Sequence, residues 1–173
     1  MNRFLLWVAQ GFGSGRIPVA PGTAGSCVGL LWFALLLLAR SWWGFLGGTA
    51  VGLALSVWLC GIGEELLRRK DPGSVVFDEI AAMPICFIAW MGIVIGKTGS
   101  WPAPDYFFSR QHWLPTLGVF AAFRLFDVLK PWPVRQSQAL IGGWGITIDD
   151  ALAAGYVNIL VLASVAGMKL FAR

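Results

Sequence analysis

Five carboxylates interrupt the apolar stretches of this chain, and all fall at the same end of them. They are Asp78 and Glu79 in VVFDEIAAM, Asp127 in FRLFDVLK, and Asp149 and Asp150 in ITIDDALAA. A carboxylate at the centre of a bilayer helix costs roughly 2.5–3.5 kcal/mol on insertion scales, so such groups persist where they face protein, water or an ion. Any fold of this chain has to bring three acidic stretches to one membrane face. That arrangement points to a metal site.

The remainder of the sequence suits a bilayer. Of the 173 residues only 13% are charged and 57% are hydrophobic, whereas soluble domains carry about 25% charged residues. The expected fold is all-α, a polytopic helix bundle forming one domain over residues 1–173. Five transmembrane helices are expected near 24–40, 44–63, 80–96, 114–130 and 150–170, each about the ~20 residues a bilayer requires. The opening apolar run is too short for a span and lacks a small-residue cleavage pattern, so it reads as an interfacial helix anchored by Trp7 rather than a signal peptide. Gly44, Gly48 and Gly52 recur every four residues, as do Gly25 and Gly29. Small residues at that interval let helices approach closely, here within one bundle or, alternatively, across a homo-oligomer seam.

The net charge of +4 is read as topology and headgroup contact rather than nucleic-acid binding. With the N-terminus inside, eight basic residues (Arg3, Arg16, Arg68, Arg69, Lys70, Arg124, Lys130, Arg135) fall on one side and five (Arg40, Lys97, Arg110, Lys169, Arg173) on the other. The positive-inside rule then places all five carboxylates at the cytoplasmic face. Cys27, Cys60 and Cys86 lie in apolar segments without metal-ligand spacing, and His112 is the single histidine. Zinc sites with His or Cys ligands are therefore excluded.

Asp78-Glu79 and Asp149-Asp150 are expected at the heads of two helices, where the dipole favours negative charge. Asp127 follows Arg124 by three residues, a spacing at which the two can pair on one helix face. Taken together, like charges held close need a cation, and oxygen-only ligands suit Mg²⁺, Mn²⁺ or Ca²⁺. Mg²⁺ in such a setting commonly binds substrate phosphate as well.

A glycine-rich loop, GFGSGRIPVAPGTAGS over 11–26, stands on the same face. Its amides around Gly13, Ser14 and Gly15 could form an anion nest, with Thr23 and Ser26 adding hydroxyls at a helix start. Lys130 and Arg135 flank Pro131-Trp132-Pro133 and could complete the phosphate contacts. The glycines of IGGWGITIDD precede the second acidic pair and would allow close backbone approach or movement. GIVIGKT (92–98) is one residue short of a P-loop and lies in an expected span on the far face. Thiol-, histidine- and aspartyl-phosphate phosphatase signatures are absent. Metal-assisted attack on phosphorus remains.

In order along the chain, GFGSGxxPxxPGTxGS, DxGSVVFDE, FRLFDVLKPWP and GGxGIxxDD resemble the motifs of bacterial phosphatidylglycerophosphatase A, from Gly11 to about Asn158. The resemblance implies Mg²⁺-dependent hydrolysis of phosphatidylglycerophosphate to phosphatidylglycerol and phosphate at the inner membrane, in phospholipid biosynthesis. On this reading Asp78, Glu79, Asp127, Asp149 and Asp150 hold one or two Mg²⁺ and act with Arg124. Gly13, Ser14, Gly15, Thr23, Ser26, Lys130 and Arg135 would meet an anionic phospholipid's phosphate. The nucleophile, metal-activated water or a carboxylate, stays open. The rival readings are a lipid phosphotransferase, which should carry a nucleotide-binding pattern, and a cation transporter, which should carry carboxylates at mid-span.

Overall fold

The computed structural model describes residues 2–171, and within them every regular element is helical; Arg173 lies outside the described residues. A short helix α1 (Asn2–Ala9) leads through a 3₁₀ turn (Gly11–Arg16) into α2 (Pro21–Leu37). Helix α3 (Trp42–Leu67) follows, then a nearly continuous rod made of α4 (Phe77–Ala82), a 3₁₀ stretch (Met83–Phe87) and α5 (Ile88–Thr98). The small helix α6 (Pro104–Phe108) precedes α7 (Trp113–Leu129), the single turn α8 (Val134–Ser137) precedes α9 (Gly143–Phe171). Three of these segments, Trp42–Leu67, Phe77–Thr98 and Gly143–Leu170, are long and apolar enough to cross a membrane. Helices α2 and α7 have 17 residues each, so the expected count of five spans is not reached on length alone.

Local sequence sets the breaks. Ser41 caps α3 by accepting the Gly44 amide at 3.1 Å, which fixes where the helix begins. Pro84 has no N–H to donate and sits at the start of the 3₁₀ stretch. One side chain bridges the gap left in the ladder: the Ala89 amide donates to Asn158 Oδ1 at 2.7 Å, and Asn158 Nδ2 donates to Ile85 O at 2.7 Å. A carboxamide from α9 is thus inserted where the Ala89-to-Ile85 helical bond would otherwise run. In an apolar setting those backbone groups would be costly to leave unpaired.

An aromatic core holds the far half of the bundle. Phe33, Phe45, Phe87, Phe107 and Phe123 are fully buried, with Phe33 stacked on Phe87 at 4.0 Å and edge-on to Phe107 at 5.0 Å. The 97–113 connection folds back onto this core through Phe107 and through Trp101, whose indole N–H donates to Leu37 O at 2.8 Å. A smaller cluster of Ala9, Leu59, Cys60, Val75 and Ile146 joins α1, α3 and α9 beneath the other end, while α1 turns Phe4 and Trp7 outward.

Glycines let the backbones meet. A Cβ on Gly25 would stand 2.7 Å from Val76 Cβ, and one on Gly29 would stand 2.7 Å from Met83 Cβ, so α2 lies tight on the α4 rod. Gly48 and Gly52 face Leu36 and Trp32 of α2. These spaced glycines therefore pack within one chain.

The largest departure from sequence expectation is at α9. It starts at Gly143, seven residues before the expected 150, and Asp149 and Asp150 lie almost two turns inside the helix rather than at its head. Gly143 packs directly on the Val57 carbonyl of α3, where any Cβ would collide. Tertiary contact overrides the helix-breaking preference of glycine here.

Candidate functional site

Four helix ends meet at one end of the bundle: the starts of α2 and α4, the close of α7 and the first turns of α9. Asp78 and Glu79 occupy the first turn of α4, as the sequence predicts, and both are buried. Asp150 reaches them from α9. One carboxylate oxygen from each of Asp78, Glu79 and Asp150 lies within 4.8 Å of the others. Each residue also carries one buried oxygen with no hydrogen-bond partner: Asp78 Oδ1, Glu79 Oε2 and Asp150 Oδ2. Three clustered carboxylates, each with a buried unpartnered oxygen, are a poor protein interior and a good cation cage, because buried charges need pairing or a metal. The hard oxygen donor set fits Mg²⁺.

The other two carboxylates have different company. Arg124 Nη1 meets Asp127 Oδ2 at 2.7 Å, which realises the expected i,i+3 pair, and reaches Glu79 Oε1 at 3.5 Å. Lys130 lies 2.5 Å from Asp149 Oδ2 and 3.9 Å from Asp127 Oδ1, while Asp149 Oδ1 accepts the Asp150 amide at 3.0 Å. Burial alone would lower the Lys130 ammonium, but its hydrogen bond to Asp149 and the charges of Asp149 and Asp127 hold it above its ordinary value. Of the five carboxylates grouped from sequence as metal ligands, three converge and two are bound to neighbouring cations. With all five ionised, the site still carries three more negative charges than Arg124 and Lys130 supply.

The glycine-rich loop takes a different part from the anion nest expected. The Gly13 and Gly15 amides both donate to Gln10 O, at 3.1 and 3.0 Å, and the Ser14 hydroxyl donates to Gly11 O at 2.8 Å. These donors are engaged inside the loop because Gly11, Phe12 and Gly13 adopt positive φ and close a tight turn. Gly15 instead seats against the Ser74 carbonyl, where a Cβ would clash. Ser26 lies closer to the chemistry. Its hydroxyl donates to Gly22 O at 2.9 Å and accepts a long contact from Arg124 at 3.5 Å. Thr23 is half-buried on the first turn of α2, and Arg135 is exposed on α8 without an ion-pair partner among the described residues.

Gly22 is the site residue that sequence reasoning passed over. A Cβ there would run into Glu79 Oε1 and stand 2.7 Å from Arg124 Nη2. The missing side chain is what lets the carboxylate and guanidinium approach α2. Within PGTAGS the position looked like one more loop glycine, and no pattern in the sequence marks it as the one beneath the ion pair.

A sequence model described as phosphatidylglycerophosphatase A matches residues 7–165. The chain belongs to the phosphatidylglycerophosphatase A family. It is similar to a Haemophilus influenzae protein named phosphatidylglycerophosphatase A, with 38% identity over 90% of this chain and 85% of that one. A second protein of that name, from Escherichia coli, is 31% identical over 90% of this chain and 79% of its own length. A Bacteroides thetaiotaomicron protein with the provisional name phosphatidylinositol-3-phosphatase is 34% identical over 89% of each chain. No solved structure matches the chain. All four motifs read from the sequence fall within the matched residues, and the family is one of phosphatases.

Proposed function

We propose that this chain removes the terminal phosphate of phosphatidylglycerophosphate, releasing phosphatidylglycerol and inorganic phosphate, with Mg²⁺ as cofactor. The observation that carries the reading is the trio of orphaned carboxylate oxygens on Asp78, Glu79 and Asp150 beside two cationic side chains. Asp78, Glu79 and Asp150 hold the divalent ion. Bound there, Mg²⁺ supplies positive charge to the phosphoryl oxygens and lowers the pKa of a water in its shell.

The protein's own groups do the rest. Arg124, braced by Asp127 and given room by Gly22, presents its guanidinium to the substrate phosphate as charge develops there. Lys130, held by Asp149 and Asp127, offers a second cation. Asp127 and Asp149 act through these two side chains and orient them. Thr23, on the first turn of α2, and exposed Arg135 on α8 would meet the headgroup. Confinement of the carboxylates to one end of the bundle supports hydrolysis at the headgroup level over an ion path through mid-span.

The site faces the cytoplasm in a bacterial inner membrane on this proposal, as the basic-residue count supports. Cysteine labelling from either side should find Ser14 and Gln136 on one face and Ser109 on the other. Labelling of Ser14 and Ser109 from the same side would remove this topology.

The deciding assay is phosphate release by purified protein in detergent, with phosphatidylglycerophosphate and phosphatidylinositol 3-phosphate as parallel substrates. Release from the first, lost in EDTA and restored by Mg²⁺, is the expected result. Preference for the second would transfer the substrate assignment to the chemistry named for the Bacteroides relative. Full activity in chelator would overturn the metal role.

A further inference from the structure

A groove of about 610 Å³ opens between α5, α7 and α9, away from the carboxylates. We infer that it seats one acyl chain of an anionic phospholipid from the leaflet opposite the carboxylate site, with the lipid phosphate held at Lys97 and His112.

Its position fixes the leaflet. Lys97 follows Asp78 by nineteen residues along one helical rod, about 28 Å at ~1.5 Å per residue, close to the ~30 Å hydrocarbon thickness of a bilayer. The groove and the carboxylates therefore belong to opposite membrane surfaces. On α9 the lining runs from Val157 to Met168, about 16 Å of helix, which is the depth of one leaflet. The groove is as long as a single lipid tail can use.

Its chemistry fits the same occupant. The walls are apolar, with Ile93, Val119 and Val161 among them, and Lys97 is the one charged lining residue. The Thr98 and Ser164 hydroxyls at this end donate to carbonyls of their own helices, Val94 O at 2.9 Å and Val161 O at 2.8 Å. Lys97 has no ion pair among the described residues, and His112, Tyr106 and Trp90 supply the other polar side-chain atoms of the lining. The His112 ring is stacked on Tyr106 at 4.1 Å and meets Ser109 through Nδ1 at 3.2 Å, which directs its other nitrogen elsewhere. A cation above an apolar channel complements a phosphate above a tail. The hollow itself comes from Gly118, where a Cβ would meet nothing within 4 Å.

Native mass spectrometry of the full chain, exchanged into detergent with either phosphatidylglycerol or phosphatidylcholine, tests this. One retained phosphatidylglycerol per chain is expected, with retention falling roughly tenfold in Lys97→Gln and in Gly118→Leu and unchanged in Arg124→Gln. Gly118→Leu adds bulk where there is open space, and Lys97→Gln changes an exposed side chain, so at least one variant will report on a folded protein. Equal retention in wild type and both variants overturns the proposal. So does equal retention of phosphatidylcholine, loss confined to Arg124→Gln, or a dimer that Gly118→Leu dissolves.

Discussion

At the scale of single residues, the site separates into two classes of carboxylate, and substitution should expose the difference. Asp150→Asn keeps the shape but removes a charge from the oxygen cage, so kcat/KM should fall on the order of 10²-fold or more, equivalent to ~2.7 kcal/mol. Lys130→Met leaves the cage intact and should cost less, about tenfold, while exposed Asp105→Asn on α6 should change little. Steady-state phosphate release decides the ranking, and equal losses at Asp105 and Asp150 would defeat the assignment. Gly22→Ala should lower activity with thermal stability largely kept, because the added methyl displaces the flexible ends of Glu79 and Arg124 rather than backbone. Much of this site was legible beforehand: a carboxylate in a membrane helix is expensive enough to announce itself, and Arg124 and Asp127 sit at pairing distance in the sequence. The pairing of Asp149 with Lys130 was not, because spacing along the chain says nothing about which cation a side chain meets across a helix interface. Neither was the engagement of the Gly13 and Gly15 amides by Gln10, since a nest and a closed turn draw on the same glycines.

Among the helices, the join between α9 and the α4–α5 rod at Asn158 is the most specific contact outside the site. Asn158→Leu keeps comparable bulk and removes three hydrogen bonds, those to Ala89, Ile85 and Ala154. Thermal unfolding in detergent should show a loss of roughly 1–3 kcal/mol, the cost of stranding buried backbone groups. Asn158→Asp can still accept from Ala89 but cannot donate to Ile85, so it should not rescue the loss. A variant as stable as wild type would show that water repairs the break instead. The long helices themselves were readable from apolar length, with α3, the α4–α5 rod and α7 falling within a few residues of expectation. The start of α9 was not, because Gly143 and Gly145 signal a break locally and only the close approach of α3 makes them helix. The same holds for α6, whose buried Phe107 is invisible in a stretch rich in proline.

For the molecule as a whole, the surplus of negative charge makes stability depend on the cation. On the proposed function Mg²⁺ binds the folded cage alone and should stabilise wild type by ~2.7 kcal/mol at a hundred times its Kd, raising its unfolding temperature. Asp150→Asn removes one member of a repelling trio, so in EDTA it should melt above wild type, and in saturating Mg²⁺ below it. Calorimetric or fluorescence melting in the two conditions tests the crossover, and a variant that melts below wild type in both would argue that Asp150 is structural. The arrangement also bears on the order in which the protein is made. Asp78 and Glu79 leave the ribosome well before Arg124, and Asp150 follows last of the four. No nascent chain that ends before Asp150 contains the complete cage, so the emerging acidic end of α4 has no counter-charge of its own until α7 arrives and no third carboxylate until α9 begins to insert. On the proposed function, capture of a metal ion therefore waits for the first turns of α9, the last of the long helices to be made.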